Sequence, residues 1–348
     1  MSVLSSIKSK LIAVISLIVS LTIVVGMVAI FSFHYFGTTM RTLISENLPS
    51  INQANELAVM AHDITAATPS LVLSANQKIL DSNFKRISAR VEELIKLSAT
   101  LHNVHKSHNR EKISIAIQEF EKLLQTLYST QKKMHLLNKE QNTVLKQIEN
   151  VYQDLMKRLQ PIRDNTLIKL NLTLIEIIDI DDVDKAFDMQ NQALNIDIPN
   201  FRSSLEICAI IEQAVSYLHQ AVNTQNKLKL DEYAKNFALV IDELKFNLGN
   251  ITSQSAVNDL SKRIKKLEQI SFGEKGLFNI RNKQLNIISQ SEQLHTKEQL
   301  LAANLTKYSS LLTSEIIKES HQKMLEMDKV RKQGYIVVII LSSFSAIV

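Results

Sequence analysis

Few side chains in this chain of 348 residues are spaced to do chemistry. His102, His105 and His108 form an H-x2-H-x2-H cluster that could grip a transition metal if folded compactly. No carboxylate or cysteine joins the pattern, and the segment HNVHKSHNRE reads as a solvated turn, with histidine titration as its one chemical resource. Four arginines are the candidate ligand contacts. Arg86 and Arg90 lie one helical turn apart, and Arg163 and Arg202 sit on later helices. A carboxylate or oxide ligand held between helices wants an inward guanidinium with planar paired donors. The opposing expectation is that arginines on amphipathic helices face water. The lone cysteine, Cys208, sits in LEICAII and reads as a small buried hydrophobe; it excludes an internal disulfide and any Cys-based zinc site. No phosphate loop, dinucleotide fingerprint, H-E-x-x-H or G-x-S-x-G occurs, and His62 and His219 lie within helical stripes. No catalytic residue, metal site or cofactor is expected.

Composition dictates what must position these residues. There are four prolines and six glycines, and Gly26, Gly37 and Gly334 lie in or beside the apolar ends, so the middle has almost no helix breakers. With 22% charged residues, 5% aromatics and no Trp, that middle reads as long amphipathic helices and not as a sheet. Setting aside Lys8 and Lys10 leaves 38 of the 40 basic residues against 35 acidic ones, a balance that argues against a nucleic-acid surface.

No Asp, Glu, Lys or Arg occurs from position 11 to position 40. Residues 11–33 make a helix roughly 35 Å long, enough to cross a hydrocarbon core. A cleaved signal peptide fits less well, because Phe31, Phe33, Tyr35 and Phe36 crowd the place where small residues should precede cleavage. Lys8 and Lys10 put residues 1–10 in the cytoplasm and the chain after about Met40 outside. The uncharged run 335–348 reads as the start of a second membrane helix whose remainder is missing. Lys329, Arg331 and Lys332 precede it on the outer side, mildly against the positive-inside trend.

Between these ends, apolar residues recur in steps of three and four. One helix carries Leu48, Ile51, Ala54, Ala58 and Ala61, with a bend or break at Pro69. A second, capped by Asp81 or Ser82, carries Phe84, Ile87, Val91 and Leu94. A third runs from about Glu111 through Leu155 and Ile162 towards the acidic turn at 179–184, bending at Pro161. The second half repeats short, short, long: a helix through Phe201 and Leu218, begun as early as Val183, one through Phe237 and Leu244, and a long one from Leu260 to Val330. Glu56 with Glu206, Asn76 with Asn226 and Leu155 with Leu305 align at one offset, which suggests an internal duplication. Short connections between antiparallel neighbours then give an all-α fold of two stacked four-helix bundles sharing two long helices. The near bundle takes helices one and two with the start of three and the end of six.

The run LPSINQANELAVMAHDITAATPSL, then Val91–Leu94 and the helix LEICAIIEQAVSYLHQA, resemble the helical bimodular periplasmic sensor domains of bacterial receptors, most of all those of TorS-type trimethylamine N-oxide sensor histidine kinases. The resemblance covers about residues 40–333, so residues 41–333 are expected to be one sensor domain with halves 41–180 and 181–333. It implies a homodimeric receptor in the bacterial inner membrane, reading a small ligand or a ligand-loaded periplasmic binding protein. Kinase domains of such receptors have no counterpart here, so the segment itself is expected to be non-enzymatic. A chemoreceptor input region and a helical membrane tether share the same stripes.

Overall fold

The computed structural model describes residues 7–102, 108–251 and 254–347. His105 lies outside them, with most of the expected turn around it. Among the described residues the secondary structure is helical throughout, with no strand: α1 (Ile7–Thr42), a π turn (Leu43–Asn47), α2 (Leu48–Ala67), α3 (Pro69–Val72), α4 (Gln77–His102) and α5 (His108–Asp179). Then come α6 (Val183–Gln192), a second π turn (Ala193–Asp197), α7 (Ile198–Asn223), α8 (Lys227–Leu248), α9 (Gln254–Phe272) and α10 (Leu277–Ile347).

Two compact units divide the chain, one of residues 1–126 and 294–348, the other of 127–293. Both α5 and α10 therefore contribute to both units. This is the sharing expected from the order of the helices.

In the first unit Ala54, Leu57, Ala61 and Ile64 of α2, Leu80, Ile87, Val91 and Leu94 of α4, Ile113, Ile117 and Phe120 of α5, and Leu305 and Leu312 of α10 are buried. Ala54, Ala61, Ile87, Val91 and Leu94 lie on the apolar stripes of the sequence; Leu57, Ile64 and Leu80 are buried beside them, and Leu48 is exposed. α1 is long and apolar enough to cross a membrane, and none of its apolar window is buried. Two hydroxyls within its apolar run bond back to the helix, Ser20 Oγ to Ser16 O at 2.6 Å and Thr22 Oγ1 to Ile18 O at 2.8 Å, which satisfies them without water. The last turns of α10 lie against it: a Cβ on Gly334 would come 3.0 Å from Ser32 Oγ.

The second unit packs α7, α8 and α9 around α5. Phe237 is fully buried at its centre, 5.5 Å from Phe272 and 5.8 Å from Phe278 between ring centroids. Leu155, Ile207, Ile211, Leu244 and Leu267 complete the core.

Three local expectations are corrected. The cap of α4 is Asn76, whose Oδ1 accepts from Ile79 N at 3.0 Å, and not Asp81 or Ser82. The helix expected to begin at Val183 is split by the second π turn. The last long helix is likewise in two pieces, because Gly273 N donates to Gln269 O (2.8 Å) and Gly276 N to Gly273 O (2.7 Å), closing a turn between α9 and α10. Any Cβ at Gly276 would stand 2.6 Å from Ser271 O, so the turn requires glycine there. Pro161, by contrast, leaves α5 continuous for 72 residues.

Candidate functional site

Reading α10 in steps of seven gives Leu277, Gln284, Ser291, Glu298, Leu305 and Leu312. Such positions form the seam of a packed helix and are normally apolar. Here three in succession are polar and still buried: Gln284 is 0% exposed, Ser291 5% and Glu298 1%. Each is therefore obliged to find a partner.

In the second unit Gln284 and Gln141 of α5 exchange two amide bonds at 3.2 Å. Gln284 Nε2 also donates to Asn138 Oδ1 at 2.8 Å, and Arg281 Nη1 donates to Gln284 Oε1 at 2.9 Å. Arg281 turns its other nitrogens to Thr224 O, at 2.6 and 3.0 Å, pinning the α7–α8 connection to α10. Burial pulls this guanidinium below its ordinary pKa, although it stays charged. Two turns further, Gln131 Nε2 of α5 donates to Ser291 Oγ at 2.9 Å.

In the first unit Glu298 lies 3.1 Å from His295 Nδ1 and bonds Thr68, the residue between α2 and Pro69. Burial raises its pKa above the ordinary carboxylate value, and Thr68 and His295 offset this only in part. Thr68 Oγ1 also donates to Ile64 O at 3.0 Å, so its one proton is shared between that carbonyl and Glu298. Further along, Asn109 Nδ2 of α5 donates to Glu315 Oε1 of α10 at 2.6 Å.

The two π turns extend this pattern. Each precedes a Leu-Pro or Ile-Pro step, and their last residues, Asn47 and Asp197, are buried. A proline cannot donate to the carbonyl four residues back and clashes with it; widening the turn relieves the clash and rotates a polar residue inward. Asn47 Nδ2 donates to Ser320 Oγ of α10 at 2.6 Å. Asp197 accepts from Lys169 Nζ (2.9 Å) and Thr173 Oγ1 (3.5 Å) of α5. In both units, then, the long helix is held to the start of the helix after the π turn by a buried polar contact.

The four arginines are not brought together. Arg86 and Arg90 are exposed on α4, where Arg90 pairs with Glu93 at 3.1 Å. In the second unit Arg202 is exposed and pairs with Glu206 at 2.7 Å. Arg163, bonded to Asp164 at 3.2 Å, is the one that lines a cavity, of about 220 Å³, with Gln153, Met156, Lys157, Gln160 and Cys208. Burial pushes the Cys208 thiol up and Glu212 adds to this, against the opposing charge of Arg163; the group is a poor nucleophile. His108 lies 3.8 Å from Glu111. Among the described residues no cluster of three His, Cys, Asp or Glu side chains could hold a metal ion.

Sequence reasoning passed over the polar seam, although its signal was there. In α10 the seven-residue series skips from Leu277 to Leu305, and the three skipped positions are the seam itself.

Comparison with known proteins gives the same fold and no closer kinship. No family model matches the chain, and no curated protein matches it by sequence. The crystal structure of the TorS sensor domain in complex with TorT in the presence of TMAO is similar over 77% of this chain and 99% of its own, with a TM-score of 0.70 at 15% identity. The sensor domain of the V. parahaemolyticus histidine kinase TorS is similar over 76% of this chain and 99% of its own, with a TM-score of 0.57 at 13% identity. The fold of this chain is that of the TorS sensor domain.

Proposed function

We propose that residues 41–333 are the periplasmic input region of a bacterial transmembrane signalling receptor of the sensor-kinase class. The receptor is a homodimer in the inner membrane with the N-terminus cytoplasmic. It detects a small ligand directly or through a periplasmic binding protein, and α10 carries a small displacement to the membrane. Three observations besides the shared fold support this: an apolar N-terminal helix behind Lys8 and Lys10, close packing of Gly334 on Ser32, and one helix running from Leu277 to Ile347.

The observation that carries the reading is the run of buried polar positions at Gln284, Ser291 and Glu298. A tether needs only apolar seams, which are more stable. Polar pairs inside a helix interface specify register, and a register with discrete alternatives is what a ligand can shift. Arg163, lining its cavity, is the arginine retained as a direct ligand contact.

The test uses a cysteine pair at Ser32 and Gly334 in a Cys208→Ser background of the full chain. A signalling ligand, with TMAO and a purified binding protein as the probes, should change the rate of disulfide formation, while the pair remains competent to form without it. An unchanged rate with both probes removes the displacement mechanism. An alkaline phosphatase fusion at residue 200 should be active; an inactive one, with a cytosolic reporter active at the same site, overturns the receptor reading.

A further inference from the structure

The end of α5 and the helix that follows it leave an apolar surface in the second unit that no other element among the described residues covers. Only three residues separate Asp179 from Val183, and Thr173 meets Asp197 across the pair, so the two helices form an antiparallel hairpin. Counted from the inward residues Thr173 and Ala193 at about 100° per residue, Leu167, Leu174 and Ile178 fall to one side of α5, and Val183, Phe187 and Leu194 to one side of α6 and its π turn. In an antiparallel pair these are the same side. All six are exposed, Ile178 and Val183 by 81% and Phe187 by 62%.

Of the six positions 150 residues away, Ile317, Met324, Phe33 and Ile44 are apolar and exposed as well, while Asp328 and Gly37 stand where the hairpin has Ile178 and Phe187. Those lie on the helices that lead towards the apolar ends, where lipid is at hand to cover them. The hairpin cannot use that solution, because its tip carries Asp179, Asp181, Asp182 and Asp184, all exposed, and carboxylates do not enter a bilayer. Nor does a second copy suit it. Pairing two copies side by side on this surface would bring like charges together at the tips, which costs energy. Between positions 176 and 188 six acidic side chains stand against one cation, Lys185.

Resting on the sensory reading above, we infer that this hairpin face is the docking surface for a soluble extracytoplasmic protein that presents an apolar patch rimmed by lysine and arginine. Phe187 and Ile178 anchor the contact, and the aspartates at the tip steer the partner and fix its orientation.

The full chain, in its native cell, should carry a photo-crosslinking amino acid at Phe187 or, as a control, at exposed Leu239 of α8. The expected result is an adduct from position 187 with one soluble protein, identified by mass spectrometry. Purified, that protein should bind the full chain in detergent. Phe187→Asp should weaken binding about tenfold or more without altering the unfolding curve. Replacing Asp181 and Asp184 with Asn should weaken it several-fold at low salt and flatten its salt dependence. An adduct between two copies, adducts with lipid alone, or affinity indifferent to both variants overturns the inference. A partner captured at position 239 and not at 187 removes this surface and leaves the sensory reading standing; that reading fails separately, in the fusion and disulfide assays.

Discussion

Replacing Gln284 tests whether the seam sets register or merely fills space. Gln284→Leu keeps the volume but strips Gln141, itself 8% exposed, of both its amide bonds. Asn138 is exposed and recovers water, and Arg281 keeps Thr224 O, so one buried amide is orphaned, at about 1–3 kcal/mol. Gln141→Leu alone should cost about 1 kcal/mol, since Gln284 retains Asn138 and Arg281. With both changed, two apolar side chains meet and the loss should nearly vanish, a coupling of about 2–4 kcal/mol. Urea unfolding of the four proteins in detergent, followed by far-ultraviolet circular dichroism, measures it. The double variant should also keep its stability while its Ser32–Gly334 disulfide rate stops responding to ligand. Single losses that add to within about 0.5 kcal/mol would refute the argument.

Other outcomes follow from the same contacts. Glu298 binds its proton more tightly folded than unfolded, so its contribution is full below the ordinary carboxylate range and is lost as pH rises through the raised value. Glu298→Gln should therefore gain on the wild type above that range, and melting curves that stay parallel across pH would contradict this. Phe237→Ala should cost about 3–5 kcal/mol in urea unfolding, as a fully buried ring leaving a cavity between Phe272 and Phe278. Asp197→Asn should be nearly neutral, since Asn47 serves at the aligned position, whereas Asp197→Ala should cost about 1 kcal/mol or more in the same assay.

The helices and their grouping were legible because the core stripes are long and the breakers rare. Ala54, Ile87, Leu155, Leu218 and Phe237 lie on stripes visible in the sequence and are buried, whereas Leu57 and Ile207, beside those stripes, are buried in place of Leu48 and Leu205, which are exposed. What was not legible was local backbone geometry. Asn76 caps α4 from outside the periodic segment, so the apolar pattern pointed to Asp81 instead. The Gly273–Gly276 turn lies between Leu267 and Leu277, which keep the rhythm across it, and a stripe cannot report a break that it spans. At Pro161, where the sequence reading has an unbroken helix with a bend, α5 is one continuous helix. The arginines were chosen for chemistry they could perform, and three of the four are exposed; the seam that α10 buries carries an amide, a hydroxyl and a carboxyl, at Gln284, Ser291 and Glu298, which in a sequence look like interruptions.

Those interruptions and the prolines belong to one design. Pro49 and Pro199 each force a widened turn, and each turn delivers a polar residue to a long helix: Asn47 to Ser320 of α10, Asp197 to Thr173 of α5. An unbroken α-helix would place those residues about 100° away for every residue of register lost, outside the interface. The turn therefore couples the rotation of the helix after it to the position of the long helix beside it. In the first unit, sliding α10 by one turn would break the Asn47–Ser320 contact; in the second, it would break the Gln141–Gln284 pair. Buried amides do not tolerate intermediate positions, where neither partner is satisfied, so such a helix favours discrete registers over a continuum. An apolar seam has no such preference, since leucines slide past one another at little cost. That difference is why a chain built to report a ligand would keep polar groups where a chain built only to stand would discard them.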